Sequence, residues 1–220
     1  MRVFYQAEIG AFLPRLFAAR DLEPLSKLYQ HHPNSYFHTL QVMELVLGLG
    51  YQNQVDQGLM FPLGLAALLH DTGKEEVPEE ILAKPGELTK KERRIIELHP
   101  RRGYILALEQ GLVTTAGRII AHHEYKGQSP FPRRGTDRRI LDRTAQDRRQ
   151  PIPEALQELD QLLALADVTQ ALYVAREYKK PWPAKEIEAF LREHFTGDPK
   201  YIDQVMERIM VERFINNPQK

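Results

Sequence analysis

The residues best suited to chemistry cluster where an apolar run, Leu65-Ala66-Ala67-Leu68-Leu69, gives way to His70-Asp71-Thr72-Gly73-Lys74. An imidazole and a carboxylate that are neighbours at a helix end can both turn toward one cation. The glycine lets the backbone leave the helix there. The lysine offers a compact point charge suited to a phosphate. A His-Asp pair is common, so its weight depends on what the rest of the chain supplies. Eight histidines occur, and each by itself reads more readily as a surface or satisfied core residue. Their placement changes that reading. His38 falls in the first turn of an expected helix, His99 at the end of another, and His122-His123 at the end of a third. Asp167 lies within Leu162-Leu163-Ala164-Leu165-Ala166-Asp167-Val168, where a carboxylate is costly to bury without a cation or good donors.

With no cysteine in the chain, thiolate zinc sites, disulfides and cysteine nucleophiles are excluded. Imidazole and carboxylate donors suit Fe, Mn, Zn, Ni or Co, with no strong choice among them. Two such ions ~3.5–4 Å apart are a recurrent device for phosphoester cleavage, in which a bridging hydroxide attacks phosphorus in line.

The elements that must position these groups read as helices. Leu22–Tyr29 and Tyr36–Leu49 show helical spacing, with Asn34 or Ser35 as N-cap of the second and Gly48 and Gly50 at its end. Asp56 or Gln57 to Leu69 leads into the His-Asp pair, and Pro78 to Leu82 is a short turn. Thr89-Lys90-Lys91-Glu92 reads as a capping box for a helix ending near His99-Pro100. Helices are expected from Arg101 to Gln110, Val113 to His123, Pro153 to Tyr178, Ala184 to Phe195 and Pro199 to Phe214. Two short helices divided by Pro14 are expected before them. Strand-like alternation is hard to find. The fold class is therefore all-α, and residues 1–220 read as a single domain. The stretch 133–149 holds seven arginines and three aspartates and reads as a loop insertion, unable to bury a face of its own.

Composition bounds the partners. Thirty basic residues match thirty acidic ones in 220, so no overall field recruits nucleic acid or an acidic membrane. No signal-peptide pattern appears at the N-terminus. The most apolar run, Gly58 to Leu69, is shorter than the ~20 residues a bilayer requires. The expectation is a cytoplasmic protein, with no nucleic-acid polymer and no membrane as partner. A homodimer is the expected form of any self-association.

The ordered set His38, His70-Asp71, His99, His122-His123, Asp167 resembles the metal-dependent HD phosphohydrolase superfamily, and more narrowly its HD-GYP branch of cyclic di-GMP phosphodiesterases. His70-Asp71-Thr72-Gly73-Lys74 resembles that branch's HD-x-GK. His99-Pro100 with Gly103 resembles HP-x-x-G, and His122-His123-Glu124 resembles HHE. Ala166-Asp167-Val168 with Ala171-Leu172 resembles AD-V-x-x-AL, and Arg176-Glu177-Tyr178-Lys179 resembles R-x-Y-K. The resemblance implies a helical bundle with a metal site in its core, and a phosphodiesterase with two divalent metal ions acting on a nucleotide or other phosphoester. His38, His70, Asp71 and Asp167 would hold one metal, with Asp71 bridging to a second held by His99, His122 and His123. Lys74, Arg176 and Lys179 would contact the scissile phosphate, and Asp71 and Lys74 are the catalytic candidates. Cyclic di-GMP or a related nucleotide is the first substrate implied.

Two departures stand out. Asn34 occupies the place where three-metal members carry a glutamate, so two metals are expected. Pro130-Phe131-Pro132 stands where the branch has Gly-Tyr-Pro. The altered loop keeps a second reading open, a divergent module that binds a nucleotide or a protein without turnover. A di-iron oxygenase, which can use similar helical His/Asp sites, is a third.

Overall fold

The computed structural model describes residues 10, 13–14, 22–122, 153–174 and 180–216, with side chains as far as residue 211. The two N-terminal helices expected around Pro14, the arginine-rich stretch 133–149, Pro130-Phe131-Pro132, His123, Arg176 and Lys179 therefore fall wholly or largely outside the described residues. Among those described, the chain is all-α. The helices run in order α1 (Glu23–His31), α2 (Pro33–Gln52), α3 (Gln57–Leu69), a 3-10 turn (Thr72–Glu76), α4 (Glu79–Leu82), α5 (Lys90–Ile96), α6 (His99–Glu109), α7 (Val113–His122), α8 (Glu154–Tyr173), α9 (Ala184–His194) and α10 (Pro199–Asn216). No described helix is long and apolar enough to cross a membrane.

Helix α3 is the central strut. Met60, Leu63, Leu65, Ala66, Ala67 and Leu68 are all fully buried, and a helix apolar all round belongs inside a bundle. It packs against α2 and α7, while α8 packs against α2 and α7 in turn. Leu159, Leu162, Leu163, Leu165 and Ala166 of α8 add a second fully buried apolar row. The Asp56 side chain caps α3 by accepting from the Gly58 amide at 2.8 Å.

Several expected boundaries move, each for a local reason. Helix α2 begins at Pro33, not Tyr36. Its N-cap is His32, whose Nδ1 accepts from the Ser35 amide, and Pro33 sits in the first turn, where a missing N–H costs nothing. Asn34 is exposed and takes no capping role. The helix also runs on through Gly48 and Gly50. These glycines do not end it; they allow close packing, since a Cβ at Gly48 would lie 2.4 Å from the Arg208 guanidinium and one at Gly50 2.7 Å from Met60 Sδ. The Thr89/Glu92 capping box is present, but α5 stops at Ile96. His99 then opens α6 instead of closing α5, because Pro100 is compatible with the first turn of a helix. Helix α8 ends at Tyr173, five residues before the expected Tyr178.

Candidate metal centre

Five elements meet around one buried cluster. His38 comes from α2, His70 and Asp71 follow the C-terminus of α3, His99 opens α6, His122 ends α7, and Asp167 lies in α8. All six are buried, at 0–8% of their possible exposure. Potential donor atoms of His38, His70 and Asp71 lie within 4.8 Å of one another, and so do those of His70, His122 and Asp167. His38 Nε2 is 2.8 Å from Asp167 Oδ1. His99 Nε2 is 3.1 Å from Asp71 Oδ1, and His70 Nε2 is 3.6 and 3.7 Å from Asp71 Oδ2 and Asp167 Oδ1. His122 Nε2 is 3.9 Å from Asp167 Oδ2. Six of the seven sequence-selected metal ligands are thus brought together; the seventh, His123, lies outside the described residues.

The histidine rings are held in one tautomer by the backbone. His70 Nδ1 donates to the Ala67 carbonyl at 2.8 Å, His99 Nδ1 to Ile96 at 2.5 Å, and His122 Nδ1 to Arg118 at 3.0 Å. A carbonyl only accepts, so Nδ1 carries a proton, and the lone pair that each ring has when neutral is on Nε2, the atom facing the cluster. This is how metal-ligating histidines are usually oriented. Sequence spacing did not single out these three carbonyls, although the geometry at a helix end places the carbonyl three or four residues back within reach of the ring.

Charge follows the same plan. Burial would raise the Asp71 carboxyl. The Lys74 ammonium, His70 and the His99 hydrogen bond outweigh burial and hold it well below the usual carboxylate range. Burial, reinforced by His70, lowers the His122 pKa to about 4, so the ring is neutral and can donate to a cation near pH 7. The C-terminus of α3 ends at the cluster, and the negative end of a helix dipole favours a cation. The donor set of imidazole Nε2 atoms and two carboxylates, without thiolate, therefore fits divalent Fe, Mn, Co, Ni or Zn.

Two glycines let the elements close on each other. A Cβ at Gly73 would lie 2.0 Å from the His99 carbonyl oxygen and 2.9 Å from Arg102 Cβ. The Gly73 φ is not positive, so this glycine serves close approach and not the left-handed helix exit expected of it. Gly103 plays the same part on α6, where a Cβ would meet the Leu69 carbonyl at 3.3 Å. Lys74 Nζ pairs with Asp71 Oδ2 at the edge of the cluster.

A family model described as HD domain matches residues 20–142. Among curated proteins, the chain is 32% identical over 198 residues to the cyclic di-GMP phosphodiesterase response regulator RpfG of Xanthomonas campestris, covering 85% of this chain and 48% of that protein. It is 29% identical over 200 residues to a cyclic di-GMP phosphodiesterase of Pseudomonas aeruginosa, covering 84% of this chain and 44% of the relative. It is 30% identical over 159 residues to a 3'3'-cGAMP-specific phosphodiesterase of Vibrio cholerae, covering 72% and 33%. The chain spans about half the length, or less, of these relatives. Their names agree with the branch that the His/Asp motifs resemble. With the helical architecture, the buried His/Asp cluster and a match over more than half its length, the chain belongs to the HD domain family.

Proposed function

We propose that the chain is a metal-dependent phosphodiesterase acting on a cyclic dinucleotide, with cyclic di-GMP or a closely related nucleotide as substrate. The observation that carries the reading is the convergence of His38, His70, Asp71, His99, His122 and Asp167 in one buried cluster, with a lysine at its edge. The names of the relatives support the substrate class.

In this reading, which follows the motif resemblance, His38, His70, Asp71 and Asp167 would hold one divalent cation, and His99, His122 and His123 would hold a second. When bound, such a pair supplies a nucleophile from water at neutral pH and neutralises charge on the phosphate. The chain's own residues do the rest. The carbonyls of Ala67, Ile96 and Arg118 keep Nε2 aimed inward, so no ring has to reorganise during turnover. Asp71, kept ionised by Lys74, offers two oxygens to the centre. Lys74 has a 15% exposed side chain, so its ammonium can meet a phosphate oxygen at the rim and stabilise the charge that builds there. Arg176 and Lys179 are assigned the same duty by their motif. The apolar walls of α3 and α8 keep bulk water from the inner side.

The test is direct. Purified protein reloaded with Mn, Fe, Co or Ni is incubated with cyclic di-GMP, 3'3'-cGAMP and a panel of phosphoesters, and products are resolved by chromatography. Metal-dependent appearance of the linear dinucleotide or mononucleotides is expected. No product from any substrate with any metal would end the proposal, and tight nucleotide binding without product would favour the binding-module reading.

A further inference from the structure

The buried ion pair between Arg118 and Asp160 lies outside the cluster yet touches its framework at two points. Arg118 Nε is 2.9 Å from Asp160 Oδ1, with side chains 6% and 8% exposed, and Arg118 Nη1 donates to the Leu156 carbonyl at 2.6 Å. The guanidinium of α7 is thereby tied to two successive turns of α8. Arg118 is also the residue whose carbonyl receives His122 Nδ1–H. On the other helix, Asp160 precedes Asp167 by seven residues, two helical turns, so both carboxylates project from one face of α8.

We infer that the Arg118–Asp160 pair is a positioning device for the metal centre, fixing the register of α7 against α8 and with it the spacing of His122 and Asp167. The two ligands lie on different helices, so their spacing depends on how α7 sits against α8. Apolar packing between α7 and α8, where Ala116, Ile119, Leu159 and Leu163 are all fully buried, supplies adhesion without direction. The guanidinium adds a directional hydrogen bond to the Leu156 carbonyl and an ion pair with Asp160 on the next turn. A slip along α8 would break both contacts and carry Asp167 away from His122. The residue that anchors the register thus also presents the carbonyl that orients the ligand.

The inference rests on the cluster being a metal centre, and the experiment separates the two claims. Co2+ is titrated into the metal-free parent and into Arg118→Met/Asp160→Leu, an apolar pair of similar volume that leaves no buried charge behind. Affinity comes from calorimetry, ligand geometry from the visible Co2+ spectrum, and folding from the unfolding midpoint of the metal-free protein. The expected result is a midpoint at or above the parent's, with Co2+ binding weakened ~10-fold or more, the range seen when groups that orient ligands are lost, and an altered spectrum. Arg192→Met, which removes an exposed pair with Asp203 and Glu188, should leave affinity and spectrum unchanged. Parent-like affinity and spectrum in the double variant would overturn the inference and leave the pair a structural contact. Should the double variant not fold, Asp160→Asn decides by the same readouts: weaker binding with a changed spectrum in a folded protein supports the inference, and unchanged binding overturns it. A parent that takes up no Co2+ would overturn the metal-centre reading itself.

Discussion

Replacing Gly73 by alanine puts one methyl group into the seam between the His70-Asp71 segment and α6. The new Cβ would lie 2.0 Å from the His99 carbonyl oxygen, where contacts under 3.0 Å are essentially never found. The obstructing atom is backbone, so no rotamer change relieves the clash, and the seam must open by ~1 Å in a close-packed interior. Overpacking of this kind typically destabilises by about 1–3 kcal/mol. For a domain of this size that is a fall in Tm of about 2–4 °C for each kcal/mol. The effect on turnover should be larger, because His99 is the residue displaced and a 1 Å misplacement can cost ~100-fold in rate. Thermal unfolding of the metal-free protein and turnover of the metal-loaded protein read the two effects separately. Gly117→Ala is the control: nothing lies within 4 Å of its added Cβ, inside α7, and the helix should gain up to ~1 kcal/mol. A Gly73→Ala protein with the parent's Tm and turnover would refute the close-approach account.

Other outcomes follow from individual contacts. Asp167→Asn removes a buried charge from the proposed metal site and weakens the link to His38, and metal affinity should fall by at least the ~100-fold that marks the upper range for groups that merely orient ligands; calorimetric titration with Mn2+ measures it. Leu65→Ala, at a fully buried position of α3, should cost about 2–5 kcal/mol in urea unfolding. Glu92 has a pKa lowered from 4.5 to about 2 by its bond to Lys84 and by the Thr89 capping interactions. Its folded value lies below its unfolded one, so its contribution is fully present above pH 4.5 and is lost as pH falls toward 2. The difference in unfolding midpoint between the parent and Glu92→Gln should therefore be constant near neutrality and shrink through that window in a pH series.

Much of the candidate site was legible in the sequence because of where its residues fall. His70-Asp71 closes an apolar helix, and Asp167 interrupts an apolar face, which is costly without a partner. What could not be read depended on contacts between distant segments. Gly48 and Gly50 look like helix stops until Arg208 and Met60 are seen against them. Pro100 reads equally well as the end of one helix or the first turn of the next, and only packing of α6 against the 3-10 turn decides between them. Gly73 suggested a backbone exit, and its actual duty is set by a carbonyl 26 positions further along. Arg118 and Asp160 had a faint signal, four residues before His122 and seven before Asp167, but nothing in the sequence pairs them.

The central claim is that the buried His/Asp cluster holds divalent metal. Elemental analysis of the purified parent beside His70→Ala and Asp71→Ala tests it most directly, with circular dichroism to establish that each variant is folded. The account predicts about two equivalents of a transition metal per chain in the parent, as in dinuclear phosphoesterase sites, and a loss of most of it in both folded variants. Unchanged metal content in the variants, or a parent that retains none after reloading, would contradict it.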